Sequence, residues 1–377
     1  MKKIKLAYLS AEDPKNKKVW SGTHYSIYKA LQSVGDVSIL GPYEPKFRVF
    51  ISKILNQIYL RCFNKRISYR HSKFVSKGYA RYFNKKLKDQ SYDFIIAPAA
   101  SCEIAYLETK IPIIYLTDGT FSGCLGYHKS LTNLTSKSIE EGNLIEQSAI
   151  SKSKKVIVSS EWAANSVKND YKKSVSDIKI IPYGANFEKT PTSNELSFDT
   201  PKIWKLFFVG VYWESKGGDI AYSAFKLLID KGYDIELTVL GCIPPKECNH
   251  SKMKVIPFID KNSAEGQEQM KAIYQQQHFL ILPTRFDCTP IVINEASAFG
   301  IPCLVANSGG VAGHLKNTKN GFLIPYEDQG TGYAVKIEEL INNTGAYLNL
   351  RKQTRSLYEE QLNWQHWTEE FRKLITT

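Results

Sequence analysis

The chain has 377 residues, of which 43% are apolar and 23% are charged, a composition typical of an ordinary soluble globular protein. This length suits two domains of usual size, and no apolar run approaches the roughly 18–20 residues needed to cross a bilayer. The seven cysteines are scattered and odd in number, which argues against a disulfide-built scaffold and predicts a cytoplasmic protein with reduced thiols.

The first residues predict a β-strand rather than a targeting segment. Basic residues precede an apolar run that is too short for a signal peptide, so we expect a strand at Ile4–Leu9. The loop after it, Trp20-Ser21-Gly22-Thr23, opens a helix. Either Ser21 or Thr23 caps this helix, or Gly22 lets the backbone approach a ligand, and the two interpretations are compatible.

Residues 46–88 form a basic segment that contains thirteen lysine and arginine side chains and no acid. The whole chain carries a net charge of +13, so the remainder is close to neutral. Apolar residues recur at positions 47, 50, 51, 54, 55 and 58, which is helical spacing. Two alternatives follow: ordinary surface helices with a solvated basic face, or a segment that lies on an anionic membrane surface. We expect no nucleic acid partner, because no recognised nucleic-acid-binding module accompanies the segment.

Short apolar segments separated by helical stretches form two successive series, as in parallel α/β sheets. The first series is Ile4–Leu9, Val37–Leu40, Phe94–Ala97, Ile113–Leu116, Val156–Val158 and Ile178–Ile181. The second is Trp204–Val209, Ile235–Leu240, Lys254–Phe258, Phe279–Leu282 and Pro302–Val305. Between them, Glu188–Pro201 is polar, contains two prolines and lacks periodicity, which indicates a linker. We therefore expect two doubly wound domains with ligands at the carboxyl ends of the strands.

Two loops that follow expected strands carry charged residues. Asp118 and Gly119 come after the fourth strand, where Asp118 would either cap the next turn or accept a hydrogen bond from a substrate hydroxyl. Lys216-Gly217-Gly218 comes after the first strand of the second series. These glycines would let the backbone approach a ligand, and Lys216 would place a point charge on a diphosphate. The alternative is a turn with a solvated lysine.

The segment Leu282–Leu304 is the most informative part of the chain. Thr289 suits an N-cap and Pro290 suits the first position of a helix expected at Pro290–Phe299. This helix is apolar on nearly every side and therefore buried, yet it carries Glu295, whose burial is costly without a partner. Asp287 precedes the helix start, and seven residues separate it from Glu295. A helix N-terminus suits a phosphate, and carboxylates suit sugar hydroxyls. The alternative is a capped core helix with a salt-bridged Glu295.

The two acids, followed by Ala296-x-Ala298-x-Gly300-x-Pro302 and an apolar strand, resemble the signature of retaining glycosyltransferases of family 4. Two positions depart from that family: Asp287 stands where a Glu is usual, and Val211 stands where an Arg is usual. The resemblance extends over most of the chain and is strongest at residues 203–325. It implies the GT-B fold, in which two Rossmann-like domains face a cleft.

The resemblance also implies a domain division and site residues. Residues 1–187 would form an acceptor domain, and residues 188–360 a nucleotide-sugar donor domain. Residues 361–377 would form a final helix that packs back on the first domain. Asp118, Lys216 and Asp287 are the implied catalytic residues. The implied donor-binding residues are Gly22, Lys216, Asp287, Thr289, Pro290 and Glu295. No metal is expected, since the chain has no Asp-x-Asp pair on a loop.

The implied function is transfer of a hexose from a UDP- or GDP-sugar to a hydroxyl, with retention of anomeric configuration. The expected acceptor is a glycan or lipid-linked molecule in polysaccharide or glycoconjugate synthesis. The enzyme would be cytoplasmic, and peripheral at the inner membrane face if residues 46–88 bind lipid. Two alternatives stay open: a nucleotide-sugar epimerase of the same fold, and a non-enzymatic binder recruited to membrane or nucleic acid.

Overall fold

Parallel β-sheets form the centre of each half of the chain. The computed structural model describes residues 3–127 and 129–376. It divides into a first unit of Met1–Ile181 with Glu370–Thr377 and a second unit of Pro182–Glu369. The division falls six residues before the boundary expected at residue 188. The chain therefore enters the second unit ahead of the predicted linker.

The first unit contains six strands in the order β2-β1-β3-β4-β5-β6, all parallel. The strands are β1 (Lys5–Tyr8), β2 (Asp36–Ile39), β3 (Phe94–Pro98), β4 (Ile113–Thr117), β5 (Lys155–Val158) and β6 (Ile178–Ile180). The helices are α1 (Thr23–Gln32), α2 (Lys46–Phe63), α3 (Lys73–Leu87), α4 (Ser101–Ile104), α5 (Phe121–Cys124), α6 (Ser136–Lys152) and α7 (Glu161–Asn169).

The second unit also contains six parallel strands, in the order β12-β11-β10-β7-β8-β9. The strands are β7 (Trp204–Val209), β8 (Ile235–Leu240), β9 (Met253–Ile256), β10 (Phe279–Leu282), β11 (Cys303–Ala306) and β12 (Gly321–Ile324). The helices are α8 (Gly218–Asp230), α9 (Ala264–Gln275), α10 (Ile291–Ala298), α11 (Thr331–Asn342) and α12 (Thr344–Glu360). A last helix, α13 (Trp364–Thr376), begins in the second unit and ends in the first.

The expected fold class, an α/β protein with doubly wound Rossmann-like sheets, is confirmed. Central strands such as β4 and β10 are buried along their whole length, because helices cover both faces of a parallel sheet. The strand that sequence analysis missed is β12, which pairs with β11 at the edge of the second sheet. It contributes only three apolar residues after Gly321, too few to distinguish a strand from a loop.

The segment expected to be a linker, Glu188–Pro201, belongs to the second unit. It contains a single 3-10 turn at Ser193–Glu195. The Thr192 amide and hydroxyl both donate hydrogen bonds to Glu195 Oε2, at 2.7 and 2.9 Å. The polar residues that suggested a linker therefore include a short turn with its own capping box.

The final helix contributes its last residues to the first unit. Glu370 forms an ion pair with Lys179 at 2.9 Å, and Arg372 donates a hydrogen bond to the carbonyl of Ser33. Within residues 3–127 and 129–376, no helix combines the length and the apolar character that crossing a bilayer requires.

Candidate functional site

The second sheet has its topological switch point between β7 and β10. From β7 the strands proceed to β8 and β9 on one side, and from β10 to β11 and β12 on the other. Ligands of such sheets bind beyond the carboxyl ends of the strands at the switch point. Lys216 follows β7 and Asp287 follows β10, and Lys216 Nζ donates a hydrogen bond to Asp287 Oδ2. The fold thus brings together two residues that separate motifs predicted.

The Asp287 carboxylate has a second contact within its own loop. Its Oδ1 accepts a hydrogen bond from the Thr289 amide at 3.2 Å. The Asp287 side chain is 14% exposed and that of Lys216 is 26% exposed. Both groups therefore reach solvent, so a hydroxyl or a phosphate can contact them.

The loop after β11 holds the backbone of Asp287 in place. The Gly310 amide donates a hydrogen bond to the Asp287 carbonyl at 2.9 Å. Gly309 adopts φ +51°, and a Cβ atom at this position would lie 2.3 Å from the same carbonyl. The sequence signal for this support is the Gly309-Gly310 pair, which sequence analysis did not use.

An arginine that sequence analysis missed organises the loop that carries Lys216. Arg285 binds Asp219 through two hydrogen bonds, at 2.9 and 2.7 Å, and its guanidinium also donates to the carbonyl of Glu214. The hydrogen bond from Arg285 lowers the pKa of Asp219. Val211, where the resembling family has an arginine, is 70% exposed. Arg285 therefore adds a cation to the loop after β10, but the carboxylate of Asp219 compensates its charge.

Helix α10 begins one residue later than expected. Its first residue is Ile291, and Pro290 occupies the N-cap with a non-helical ψ of 83°. Thr289 is therefore not the N-cap, and Pro290 is not the first helical residue. The cap position makes no side-chain hydrogen bond to the helix, because proline has no polar side chain.

Glu295 is completely buried in helix α10, as the apolar pattern predicted. Its Oε2 accepts a hydrogen bond from the Tyr274 hydroxyl at 2.7 Å. Its Oε1 lies 3.5 Å from Lys261 Nζ and accepts no hydrogen bond from the described residues. Helix α9 and the loop before it thus provide the partners of the carboxylate. One buried oxygen retains the capacity to accept a hydrogen bond.

Packing within the unit explains why positions 217 and 218 are glycines, and their predicted role in ligand approach stays a prediction. Gly217 adopts φ +74°, and a Cβ atom there would lie 2.0 Å from the carbonyl oxygen of Pro283. A Cβ atom on Gly218 would lie 2.2 Å from the indole ring of Trp213. The glycines let the loops after β7 and β10 approach each other, and this contact positions Lys216.

In the first unit, the loop after β1 and the loop after β4 meet. Trp20, Ser21 and Gly22 have successive φ values of +49°, +56° and +94° before helix α1 starts at Thr23. Trp20 Nε1 donates a hydrogen bond to Asp118 Oδ2 at 3.2 Å. Non-glycine residues in this left-handed region are strained, and such strain clusters at functional sites.

Buried titratable groups close to these loops escaped sequence analysis. Tyr8 and His24 are joined through the Tyr8 hydroxyl and His24 Nδ1 at 2.7 Å, and burial lowers the pKa of His24 to about 4. Burial also raises the pKa values of Glu103 and Glu146 to about 7. These groups were not predictable, because none of them stands in a recognisable sequence motif.

Cys242, Cys248 and His250 share the loop between β8 and β9, and their residue types are ones that bind metals. His250 Nδ1 accepts a hydrogen bond from the Lys252 amide at 3.1 Å. Across residues 3–127 and 129–376, no group of three histidine, cysteine, aspartate or glutamate side chains is arranged to hold a metal ion.

Comparison with known families places the switch-point site inside a recognised domain. Residues 204–343 match the family described as "Glycosyl transferases group 1". An uncharacterized glycosyltransferase of Haemophilus influenzae is 28% identical over 188 residues, which are 46% of this chain and 53% of that protein. The capsular polysaccharide biosynthesis glycosyltransferase CapM of Staphylococcus aureus is 24% identical over 195 residues, 48% of this chain and 50% of that protein. The chain thus spans about half the length of these relatives.

Solved structures share the fold over nearly the whole chain. A sucrose-phosphate synthase from Thermosynechococcus elongatus superposes with a TM-score of 0.71 at 16% identity, covering 98% of both chains. The Anabaena protein Alr3699/HepE, in complex with UDP and glucose, superposes with a TM-score of 0.65 at 13% identity, covering 99% of both chains. These likenesses establish the fold.

Proposed function

We propose that this protein is a retaining glycosyltransferase that moves a hexose from a nucleotide-diphosphate sugar to a hydroxyl acceptor. The observation that carries the proposal is the contact of Lys216 with Asp287 at the switch point of the second sheet. A cation and a carboxylate that both reach solvent are suited to the two halves of such a donor. Lys216 would bind the diphosphate, and Asp287 would bind sugar hydroxyls.

The chemistry requires stabilisation of the leaving diphosphate. In the proposed step, the bond from the anomeric carbon to the diphosphate oxygen breaks, and a bond to the acceptor oxygen forms on the same face of the sugar. The acceptor proton passes to the leaving diphosphate. Lys216 and the amides of Ile291 and Val292, which follow Thr289 and Pro290 at the start of helix α10, would stabilise the negative charge without a metal ion.

We propose that Glu295 binds the ribose of the donor. Its Oε1 is buried and accepts no hydrogen bond from the described residues. A hydrogen-bond donor would stabilise a carboxylate oxygen that is shielded from water. A ribose hydroxyl is such a donor. The hydrogen bond from Tyr274 to Oε2 would keep the carboxylate oriented for this contact.

In the first unit we propose Gly22 as a contact to the donor diphosphate and Asp118 as a hydrogen-bond acceptor for a sugar or acceptor hydroxyl. Asp118 follows β4, and the hydrogen bond from Trp20 to its Oδ2 would orient the carboxylate. We also retain the proposed domain roles, acceptor binding in residues 1–187 and donor binding in residues 188–360.

We propose UDP- or GDP-sugars as donors and a glycan or lipid-linked acceptor in polysaccharide or glycoconjugate synthesis. The UDP bound to the Anabaena structure and the role of CapM in capsular polysaccharide biosynthesis support this choice. A cytoplasmic location, peripheral to the inner membrane face, would fit a lipid-linked acceptor.

Calorimetric titration of UDP and GDP tests the central assignment. We expect Glu295→Ala to abolish measurable binding, and Glu295→Gln to weaken it about tenfold or more, because the ribose loses a charged partner. The matched control is Asp230→Asn, which neutralises an exposed acid at the end of helix α8. Unchanged affinity in Glu295→Gln and Glu295→Ala, with circular dichroism showing intact folding, would remove the assignment.

Incubation with a nucleotide sugar separates the proposed transferase from its two alternatives. A transferase releases nucleoside diphosphate in proportion to glycosylated acceptor. An epimerase converts the donor to its epimer without any acceptor, and a non-enzymatic binder leaves the donor unchanged. Appearance of an epimer, or no turnover with any acceptor tested, would contradict the proposal.

A further inference from the structure

Helix α2 exposes an apolar face that the first unit leaves uncovered. Phe47 is 74% exposed and Phe50 is 62% exposed, and five more large apolar side chains of the helix are exposed. These five are Ile54, Leu55, Ile58, Tyr59 and Phe63. Phe47, Phe50, Ile54 and Ile58 follow one another at spacings of three and four residues, so they line one side of the helix. A continuous apolar face of this kind on a protein surface marks an interaction site.

The opposite side of helix α2 attaches it to the unit. Val49 and Ser52 are the buried residues of the helix. Arg48 Nη1 donates a hydrogen bond to the Phe74 carbonyl at 2.5 Å, and Asn56 Oδ1 accepts one from the Ile67 amide at 2.9 Å. The helix is therefore held in place by its neighbours while its apolar side faces outward.

The surroundings of this face are strongly cationic. Twelve of the thirteen basic residues of 46–88 occupy α2, α3 and the loop between them, and the thirteenth, Lys88, follows α3 directly. The nearest acids in sequence are Glu44 and Asp89, outside the segment. Lys46 lies four residues before Phe50, and Arg61 lies three residues after Ile58, so both cations neighbour the apolar face on the helix surface. Basic side chains thus border the apolar face.

We propose that this face docks onto an anionic lipid bilayer, with the apolar side chains entering the headgroup region and the cations contacting lipid phosphates. The combination of charge and apolarity selects this occupant. A nucleic acid would satisfy the cations but would gain little from exposed phenylalanine and isoleucine side chains. A second copy of the chain would bring two cationic surfaces together, and like charges repel. An anionic bilayer satisfies both features.

The two features make separate contributions to the expected affinity. Each lysine or arginine near an anionic surface strengthens binding by about fivefold, and this contribution falls as salt screens the charges. Each phenylalanine that enters the interface strengthens binding by about tenfold or more, and this contribution is insensitive to salt. Docking stands apart from the proposed sugar transfer, because it requires neither nucleotide nor acceptor.

Sedimentation of the full chain with lipid vesicles tests the proposal. The vesicles contain phosphatidylcholine alone or phosphatidylcholine mixed with phosphatidylglycerol. We expect binding to the mixed vesicles only, weakened by added salt. Two double variants alter the face: Phe47→Ser with Phe50→Ser, and Ile54→Ser with Ile58→Ser. The phenylalanine pair should weaken partitioning about a hundredfold, and the less exposed isoleucine pair about tenfold or more. The control, Leu144→Ser with Val175→Ser, changes side chains that are 59% and 63% exposed elsewhere in the same unit and should bind like the wild type.

Four results would overturn the proposal. The first is absence of wild-type binding to either vesicle. The second is wild-type-like binding by both double variants, which would show that charge alone holds the protein at the surface. The third is a preference for single-stranded DNA over the mixed vesicles. The fourth is a dimer, seen by light scattering without lipid, that both double variants convert to monomer. Calorimetric binding of UDP reports the proposed donor site separately, so failure of one proposal leaves the other assessable.

Discussion

The buried hydrogen bond from Tyr274 to Glu295 should contribute more to the stability of the second unit than a solvent-exposed hydrogen bond does. Tyr274→Phe removes the hydroxyl while keeping the ring, which is fully buried against Phe207 and Phe299. The change leaves Glu295 Oε2 without its 2.7 Å partner in a position with no access to water. We therefore expect a loss of stability with little change in packing.

The expected loss follows from the charge and burial of the acceptor. A hydrogen bond to a charged group contributes about 1.5–3 kcal/mol, and a buried carboxylate cannot replace the lost donor with water. We expect Tyr274→Phe to lower the free energy of unfolding by about 2–3 kcal/mol. In a unit of this size, this corresponds to a melting temperature lower by roughly 5–10 °C.

The matched control makes the same chemical change at a solvent-accessible carboxylate. The Tyr233 hydroxyl donates to Glu338 Oε1 at 3.0 Å, and Glu338 also pairs with Lys231. Tyr233→Phe should therefore cost at most about 0.5 kcal/mol. Thermal unfolding of the full chain, followed by circular dichroism, compares the two variants. Equal shifts in the melting temperature would refute the reasoning that burial sets the strength of the Tyr274 contact.

Two further changes test the buried charge of the first unit and the packed loop of the second. Burial raises the pKa of Glu146 from 4.5 to about 7. The folded state thus binds a proton more tightly than the unfolded state, and stability is lost as pH rises from 4.5 through 7. In urea unfolding, Glu146→Gln should match the wild type near pH 4.5 and exceed it by about 3 kcal/mol at pH 8, and equal stability at both pH values would contradict this. Gly217→Ala should destabilise the protein by more than about 2 kcal/mol, because its Cβ would meet the Pro283 carbonyl in a left-handed conformation. The control Gly232→Ala has φ +87° and open space around its Cβ, so it should cost only about 1 kcal/mol in thermal unfolding, and similar losses for both would show that the clash is absent.

Most strands were predictable because buried parallel strands leave a simple mark on a sequence. Covered on both faces, they are short continuous apolar runs, and the expected bounds of β7, β8 and β10 agree with the structure. The edge strand β12 was not predictable, because its segment becomes a strand only where β11 offers an unpaired edge. The start of helix α10 was misplaced by one residue, since Thr289 and Pro290 both have side chains that suit a helix start.

The candidate site was partly predictable, because its residues stand in local motifs. The loop after a strand and the acid before a helix identified Lys216 and Asp287, and the apolar periodicity of helix α10 predicted the burial of Glu295. The roles of these residues stay predictions. The packing constraint at Gly217 was not predictable, because the Pro283 carbonyl that it accommodates lies on a different loop.

The sequence alone determined most of the strands, where positive charge would concentrate, and that helix α10 would be buried. These properties depend on periodicity and composition within short stretches of chain. Only the tertiary structure decided which groups would be partners: Lys216 with Asp287, Arg285 with Asp219, and Tyr274 with Glu295. It also decided that helix α2 would present its apolar face outward. The physical reason is that such contacts depend on the order of strands in a sheet, which brings residues far apart in the chain to within hydrogen-bonding distance.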